Sequence, residues 1–284
     1  MNNNSISVIG SGTMGNGIAH VFSMSKNINN VVLIDLDKEI LENAKKNIEA
    51  NLERQVKKNI ISNEDAIHSL NKIKLSTDIN SIKMSQLIIE AIKEDVKLKK
   101  NIFNKIDNLV DSNSIMASNT SSISINEIAS ATNNPENVIG MHFMNPVPIM
   151  KLVEVIRGLK TSDAVVNKTI EYIEDLKKIP VQCNDSPGFV SNRILMPMIN
   201  EAAYTYMEGV ASVDGIDQIM KLGMGHPMGP LKLADLIGID VCVYIMDVLY
   251  KGLNNTKYRV CPILTEMVKN NKLGVKTKEG FYKY

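Results

Sequence analysis

Ser5-Ile6-Ser7-Val8-Ile9-Gly10-Ser11-Gly12-Thr13-Met14-Gly15 is the stretch that decides the fold. Ser5 to Ile9 read as a buried strand, the three glycines as a tight turn, and Asn16 to Met24 as the body of a helix. A G-x-G-x-x-G between strand and helix makes a phosphate cradle: Gly10 allows the sharp turn, Gly12 lets a pyrophosphate approach the backbone, and Gly15 lets helix pack on strand. Thr13 and Met14 fall at the helix start, where unpaired N–H groups and partial positive charge favour an anion. An acid closing the next strand completes the pattern. Asp35 ends Val31-Val32-Leu33-Ile34, where a carboxylate accepts ribose hydroxyls. Asp35 and Asp37 would repel a 2′-phosphate and no Arg follows, so the turn favours NAD over NADP, with Lys38 the one nearby cation that counts the other way.

Outward from this turn, β-branched runs alternate with amphipathic stretches. Gln86 to Ile89 and Ser114 to Met116 read as further strands. Asp37 to about Asn59 reads as one long helix with Ile40, Leu41, Ala44, Ile48 and Leu52 at helical spacing, and Lys97 to Leu109 as another. Such alternation implies a parallel sheet covered on both faces. After Pro180 the pattern changes to long apolar helices: Phe189 to Met207, Val213 to Leu222, Leu231 to Leu249 and Pro262 to Asn270. Pro187 is expected in the first turn of the first of these, and Gly223 and Gly252 at left-handed helix ends. The sequence therefore predicts an α/β chain, a Rossmann-type, mostly parallel sheet domain over residues 1–185 and an all-helical C-terminal domain over 186–284.

Composition narrows the partners. The 284 residues carry 32 basic and 31 acidic side chains, a formal charge of +1. That gives no global attraction for nucleic acid, so any anion site must be a local patch. No apolar run approaches the ~20 residues that cross a bilayer. The N-terminus carries no signal-peptide pattern. Three scattered cysteines, Cys183, Cys242 and Cys261, read as reduced thiols of a cytoplasmic protein, and no metal-ligand spacing occurs.

Two ionisable residues interrupt apolar strands. Val138 to Phe143 contains His142, and Lys151 to Ile156 contains Glu154; Met144 to Met150, with two prolines, connects them. A buried carboxylate needs a partner, and a Glu accepting from one ring nitrogen fixes the tautomer and leaves the other as proton acceptor. His142 is thus a candidate general base, against a purely structural pair. The polar runs Ala117 to Ser122 and Asp185 to Arg193 are candidate contributors, the first because loops at strand carboxyl ends line ligand crevices. Loop solubility and a helix-start hydrogen bond at Asn192 are the plain alternatives.

Gly10 to Gly15, Ala117 to Ser122, Gly140-Met141-His142-Phe143-Met144-Asn145-Pro146, Asp185 to Arg193, and His226-Pro227-Met228-Gly229-Pro230 occur in the order and spacing of the short-chain 3-hydroxyacyl-CoA dehydrogenases. The chain resembles the bacterial 3-hydroxybutyryl-CoA dehydrogenase branch nearly end to end. The resemblance implies His142 as acid/base oriented by Glu154, Ser121 and Asn192 as contacts to the reacting oxygen, and Glu94, Lys99, Asn145 and Lys276 as dinucleotide contacts. It implies that Lys58 meets the CoA phosphates. The sequence departs from the family at Met144, where Phe is usual, and at Asn51, where Ser is.

The function expected is reversible NAD-dependent hydride transfer between (S)-3-hydroxybutyryl-CoA and acetoacetyl-CoA. The CoA anion calls for a patch, and Arg54, Lys57 and Lys58, with Lys45 and Lys46 earlier, supply a candidate; a solvated helix face is the plain reading. A two-domain β-hydroxyacid dehydrogenase for a non-CoA substrate and a non-catalytic NAD-binding protein are the competing readings. Val241 to Met246 is apolar on nearly all sides, and with the family analogy it predicts a homodimer through the helical domain.

Overall fold

The computed structural model describes residues 4–284. The chain divides into two compact units after Asp185. The first contains, in order, β1 (Ser5–Ile9), α1 (Thr13–Met24), β2 (Asn30–Ile34), α2 (Lys38–Lys57), α3 (Asn63–Lys72), β3 (Ile73–Ser76), β4 (Leu87–Glu90), α4 (Val96–Asp107), β5 (Ile115–Ser118), α5 (Ile125–Ala129), β6 (Val138–Phe143), β7 (Leu152–Arg157), α6 (Asp163–Asp175) and β8 (Ile179–Asn184). They form one eight-stranded sheet in the order β3-β2-β1-β4-β5-β6-β7-β8. Neighbours from β3 to β6 pair in parallel, β6 and β7 antiparallel, and β7 and β8 in parallel.

Helices cover both faces of a parallel sheet, so its central strands are buried on both sides. β1, β4, β5 and β6 are buried along their whole length. The strand order turns back between β1 and β4, and crevices for ligands open at such a switch point. In α2, Asp37 caps the helix by accepting from Glu39 N–H, and Leu41, Ala44, Ile48 and Leu52 face the core. Ile40 stays 46% exposed, so the buried stripe is narrower than the sequence implies.

Residues 186–284 form the second unit: α7 (Ser191–Met207), α8 (Val213–Met224), α9 (Pro230–Ile237), α10 (Ile239–Leu253) and α11 (Pro262–Lys269). Its core gathers Met196, Ile199, Ala203, Cys242, Ile245, Leu249 and Leu264. Three local expectations fail here. The stretch 231–249 is two helices, because Gly238 takes φ 106° and ends α9. Pro187 precedes α7 by a turn, since Gly188 and Phe189 adopt positive φ and delay the helix to Ser191. The left-handed helix ends are Gly225 and Asn254; Gly223 and Gly252 lie two residues earlier, inside α8 and α10. Among the described residues no helix is long and apolar enough to cross a membrane.

Candidate active site

The glycine turn has the shape its spacing demands. Gly10 sits at φ 95°, and a Cβ there would lie 2.6 Å from the Ala91 carbonyl oxygen. A Cβ on Gly15 would lie 1.8 Å from the Gly10 carbonyl oxygen. Around Gly12 there is open space, so its surface admits a ligand rather than packing. Thr13 and Met14 begin α1, whose N-terminus has no side-chain cap and no acidic residue in its first turn. Those orphan N–H groups fit an anion. Asp35 Oδ2 accepts from the Ser11 N–H and Ser11 Oγ, each at 2.7 Å, and Oδ1 from the Leu36 N–H at 2.8 Å. The acid is thereby fixed over the turn with acceptor capacity left on Oδ1.

His142 and Glu154 are direct cross-strand partners in the β6–β7 ladder. Directly opposed residues share a sheet face, and His142 Nδ1 lies 2.7 Å from Glu154 Oε2. The two residues are 8% and 4% exposed, so solvent barely competes for the contact. A ring held at Nδ1 by a carboxylate moves protons through Nε2. Cys183 on β8 is no rival nucleophile. Burial first, then the Glu154 and Asp185 charges, push its thiol up to about 11.

The 118–122 segment is organised by carboxylates that the sequence presents only as ligand contacts or not at all. Glu94 Oε1 accepts from Thr120 Oγ1 at 2.5 Å, Ser121 N at 3.0 Å, and Ser122 N and Oγ at 3.1 Å. Its carboxyl is held below the usual range: burial opposes ionisation, but the Lys99 charge and these hydrogen bonds outweigh it. Lys99 is 1% exposed, with Nζ 2.6 Å from Glu90 Oε1 and 3.3 Å from Glu94 Oε2. Glu90, fully buried, also accepts from Ser118 Oγ and the Ile92 N–H. Asn119 Oδ1 accepts from the Phe143 N–H, which fastens this segment beside His142. Sequence reasoning misses Glu90, although it closes an apolar run just as Glu154 interrupts one, and takes in Asn119 only as part of the run Ala117 to Ser122, with no role of its own.

Asn145 is exposed and shares a cavity of about 400 Å³ with Gly12, Thr13, Asn51 and Arg54. Arg54 and Lys58 also border an adjoining cavity with Lys177 and Lys178. Lys45 instead reaches toward the Ile73 carbonyl. In the second unit, Asn192 is buried in the first turn of α7, and Lys276 pairs with both oxygens of Asp240.

A nucleotide turn, an acid over it and a carboxylate-held histidine describe a dehydrogenase of the dinucleotide-binding class. Residues 5–186 match the 3-hydroxyacyl-CoA dehydrogenase NAD binding domain, and residues 188–284 match the C-terminal domain of the same family. The chain belongs to the 3-hydroxyacyl-CoA dehydrogenase family. It is 50% identical over 278 residues to a probable 3-hydroxybutyryl-CoA dehydrogenase of Deinococcus radiodurans, covering 98% of this chain and 99% of that one. It is 42% identical to the human mitochondrial hydroxyacyl-coenzyme A dehydrogenase, covering 98% and 90%. The crystal structure of (S)-3-hydroxybutyryl-CoA dehydrogenase from Ralstonia eutropha is similar at TM-score 0.95 and 43% identity, covering 100% of this chain and 99% of that one.

Proposed function

We propose that the chain is an NAD-dependent 3-hydroxybutyryl-CoA dehydrogenase that interconverts (S)-3-hydroxybutyryl-CoA and acetoacetyl-CoA. The observation that carries the reading is the buried His142–Glu154 pair, 2.7 Å apart, in a chain of this family. NAD fits the residues present: open space at Gly12, an uncapped helix start at Thr13 and Met14, and Asp35 poised for ribose hydroxyls. When bound, it supplies the acceptor for the C3 hydride, and in its reduced form the donor.

In oxidation His142 Nε2 takes the proton of the 3-hydroxyl, and in reduction the imidazolium returns it to the C3 oxygen. Glu154 fixes the tautomer and stabilises the imidazolium. Ser121 donates to the oxygen as charge develops there, and Glu94 holds the backbone of Ser121 in place. Glu94 also contacts the dinucleotide; Lys99, expected to contact it too, is buried between Glu90 and Glu94 and serves instead as a positioning residue for Glu94. Asn145 contacts the dinucleotide and Lys58 the CoA phosphates. Asn192 and Lys276 are carried as ligand contacts on the family motif alone. Residues 1–185 bind the dinucleotide, and residues 186–284 serve substrate binding and homodimerisation. A cytoplasmic location accords with three free cysteines.

The test is NADH oxidation with acetoacetyl-CoA, repeated with NADPH and with free acetoacetate. Turnover with NADH and the CoA ester, and little with the other two, is expected; no turnover with the CoA ester would overturn the reading. A sedimentation measurement at micromolar concentration should give a dimer.

A further inference from the structure

A cavity of about 580 Å³ opens between the C-terminal half of α2 and the turn from α6 to β8. Met24, Ile60 and Ile149 give it apolar walls, and its lining carries Arg54, Lys58, Lys177 and Lys178 against one carboxylate, Asp175. Asp175 is engaged by Ser25 Oγ and Asn27 Nδ2. Lys178 is buried, its Nζ donating to the carbonyls of Val147 and Met150. Arg54, Lys58 and Lys177 are exposed. An apolar wall beneath a cationic rim suits a flat heterocycle that bears phosphates, and the rim supplies locally the positive potential that a net charge of +1 does not.

Of the three exposed cations on this rim, Lys177 alone has a left-handed backbone. It takes φ 56°, where the turn closes through Lys177 N–H to Glu174 O and Lys178 N–H to Ile173 O. This is the left-handed position after a helix that glycine ordinarily fills. A long charged side chain kept there, on the lip of a cavity, points to a use for the side chain. We propose that Lys177 is a binding determinant for the phosphorylated nucleotide end of the substrate, forming one rim with Arg54 and Lys58. This rests on the acyl-CoA reading. The adenine lies on the apolar wall, and the phosphates meet the three cations.

Kinetics and calorimetry on the full chain test it. Lys177→Gly relieves the backbone while removing the charge, Lys177→Gln removes the charge alone, and Lys177→Arg restores it. Both uncharged variants should raise KM for acetoacetyl-CoA about 3- to 10-fold with kcat within about twofold, and Arg should recover it. KM for acetoacetyl-pantetheine, which lacks the nucleotide, should shift less than about twofold. Acetoacetyl-dephospho-CoA reports whether the 3′-phosphate is the group bound. The melting temperature of Lys177→Gly should stay level or rise, since glycine relaxes at positive φ, which separates lost binding from lost folding. Equal KM changes for the CoA and pantetheine esters, or none for either, would overturn the proposal. Titration with adenosine 3′,5′-bisphosphate reads the rim without turnover. Binding that weakens in Lys177→Gln while the wild type reduces no acyl-CoA would sink the enzymatic reading and leave the rim standing.

Discussion

Gly17 on α1 lies against Val147 so closely that a Cβ on Gly17 would stand 2.8 Å from Val147 Cβ. Val147 belongs to the connection after β6 that also carries Asn145, and Lys178 ties down its Val147 and Met150 carbonyls from the other side. Neither contact atom of Val147 is the end of a flexible chain, so a methyl group at residue 17 must displace the connection. Gly17→Ala should destabilise the chain by about 1–3 kcal/mol, the usual cost of overpacking. It should also raise KM for NADH several-fold. Urea denaturation and steady-state kinetics check both; unchanged KM would mean that the connection does not reach the dinucleotide.

Acid/base help of the kind assigned to His142 is worth about 10²–10⁴ in rate. His142→Gln should lower kcat by that factor while NADH affinity, measured by fluorescence titration, survives. Near-normal turnover would remove His142 from the chemistry.

Glu94 offers a pH-dependent readout. Its folded-state carboxyl ionises more readily than the ordinary value of 4.5. The unfolded chain therefore binds more protons through the acid range, and stability rises with pH there. The contribution is complete above about pH 4.5 and is lost as pH falls through the folded value. Glu94→Gln should be less stable than wild type by about 1–3 kcal/mol at pH 7. The gap should narrow toward pH 3.5, with kcat reduced because Ser121 loses its backbone anchor. A gap that does not change with pH would refute the ionic role.

His20 gives a second acid-side effect. It is fully buried on α1, and burial, aided by the Lys178 charge, lowers its imidazole from 6.5 to about 4. The unfolded chain takes up this proton first, so the stability present above about pH 6.5 is lost as pH falls toward 4. The loss is on the order of 3 kcal/mol. Urea midpoints of wild type and His20→Gln at pH 7 and pH 4.5 should converge or cross at the lower pH; parallel curves would rule the effect out.

The glycine turn and the His142–Glu154 pair were legible because each rests on local contrast: glycines between strand and helix, and charged residues inside apolar runs. The fold class followed from the same alternation. Elements whose contrast is weak were not legible. α3 is mostly polar and announces itself only by the Ser62–Asp65 capping box. β8 is largely exposed and carries Pro180, so it lacks the apolar alternation of a strand. The α9–α10 break depends on one glycine in an otherwise continuous apolar stretch. Glu90 and Asn119 act on partners nine and 24 residues away, Lys99 and Phe143, and nothing in their immediate neighbours shows that.

Because His142 and Glu154 meet as rungs of an antiparallel hairpin, their alignment is set by the sheet and not by the length of the segment joining the strands. Lengthening residues 144–151 should leave the rung intact. Deleting one residue within β6, by contrast, would turn the imidazole to the opposite side of the sheet, since side chains alternate with a period of two. Insertion in the bend is therefore expected to disturb the packing of Val147 on Gly17 and the Lys178 contacts while sparing the pairing of the two side chains, whereas a deletion in β6 abolishes that pairing outright.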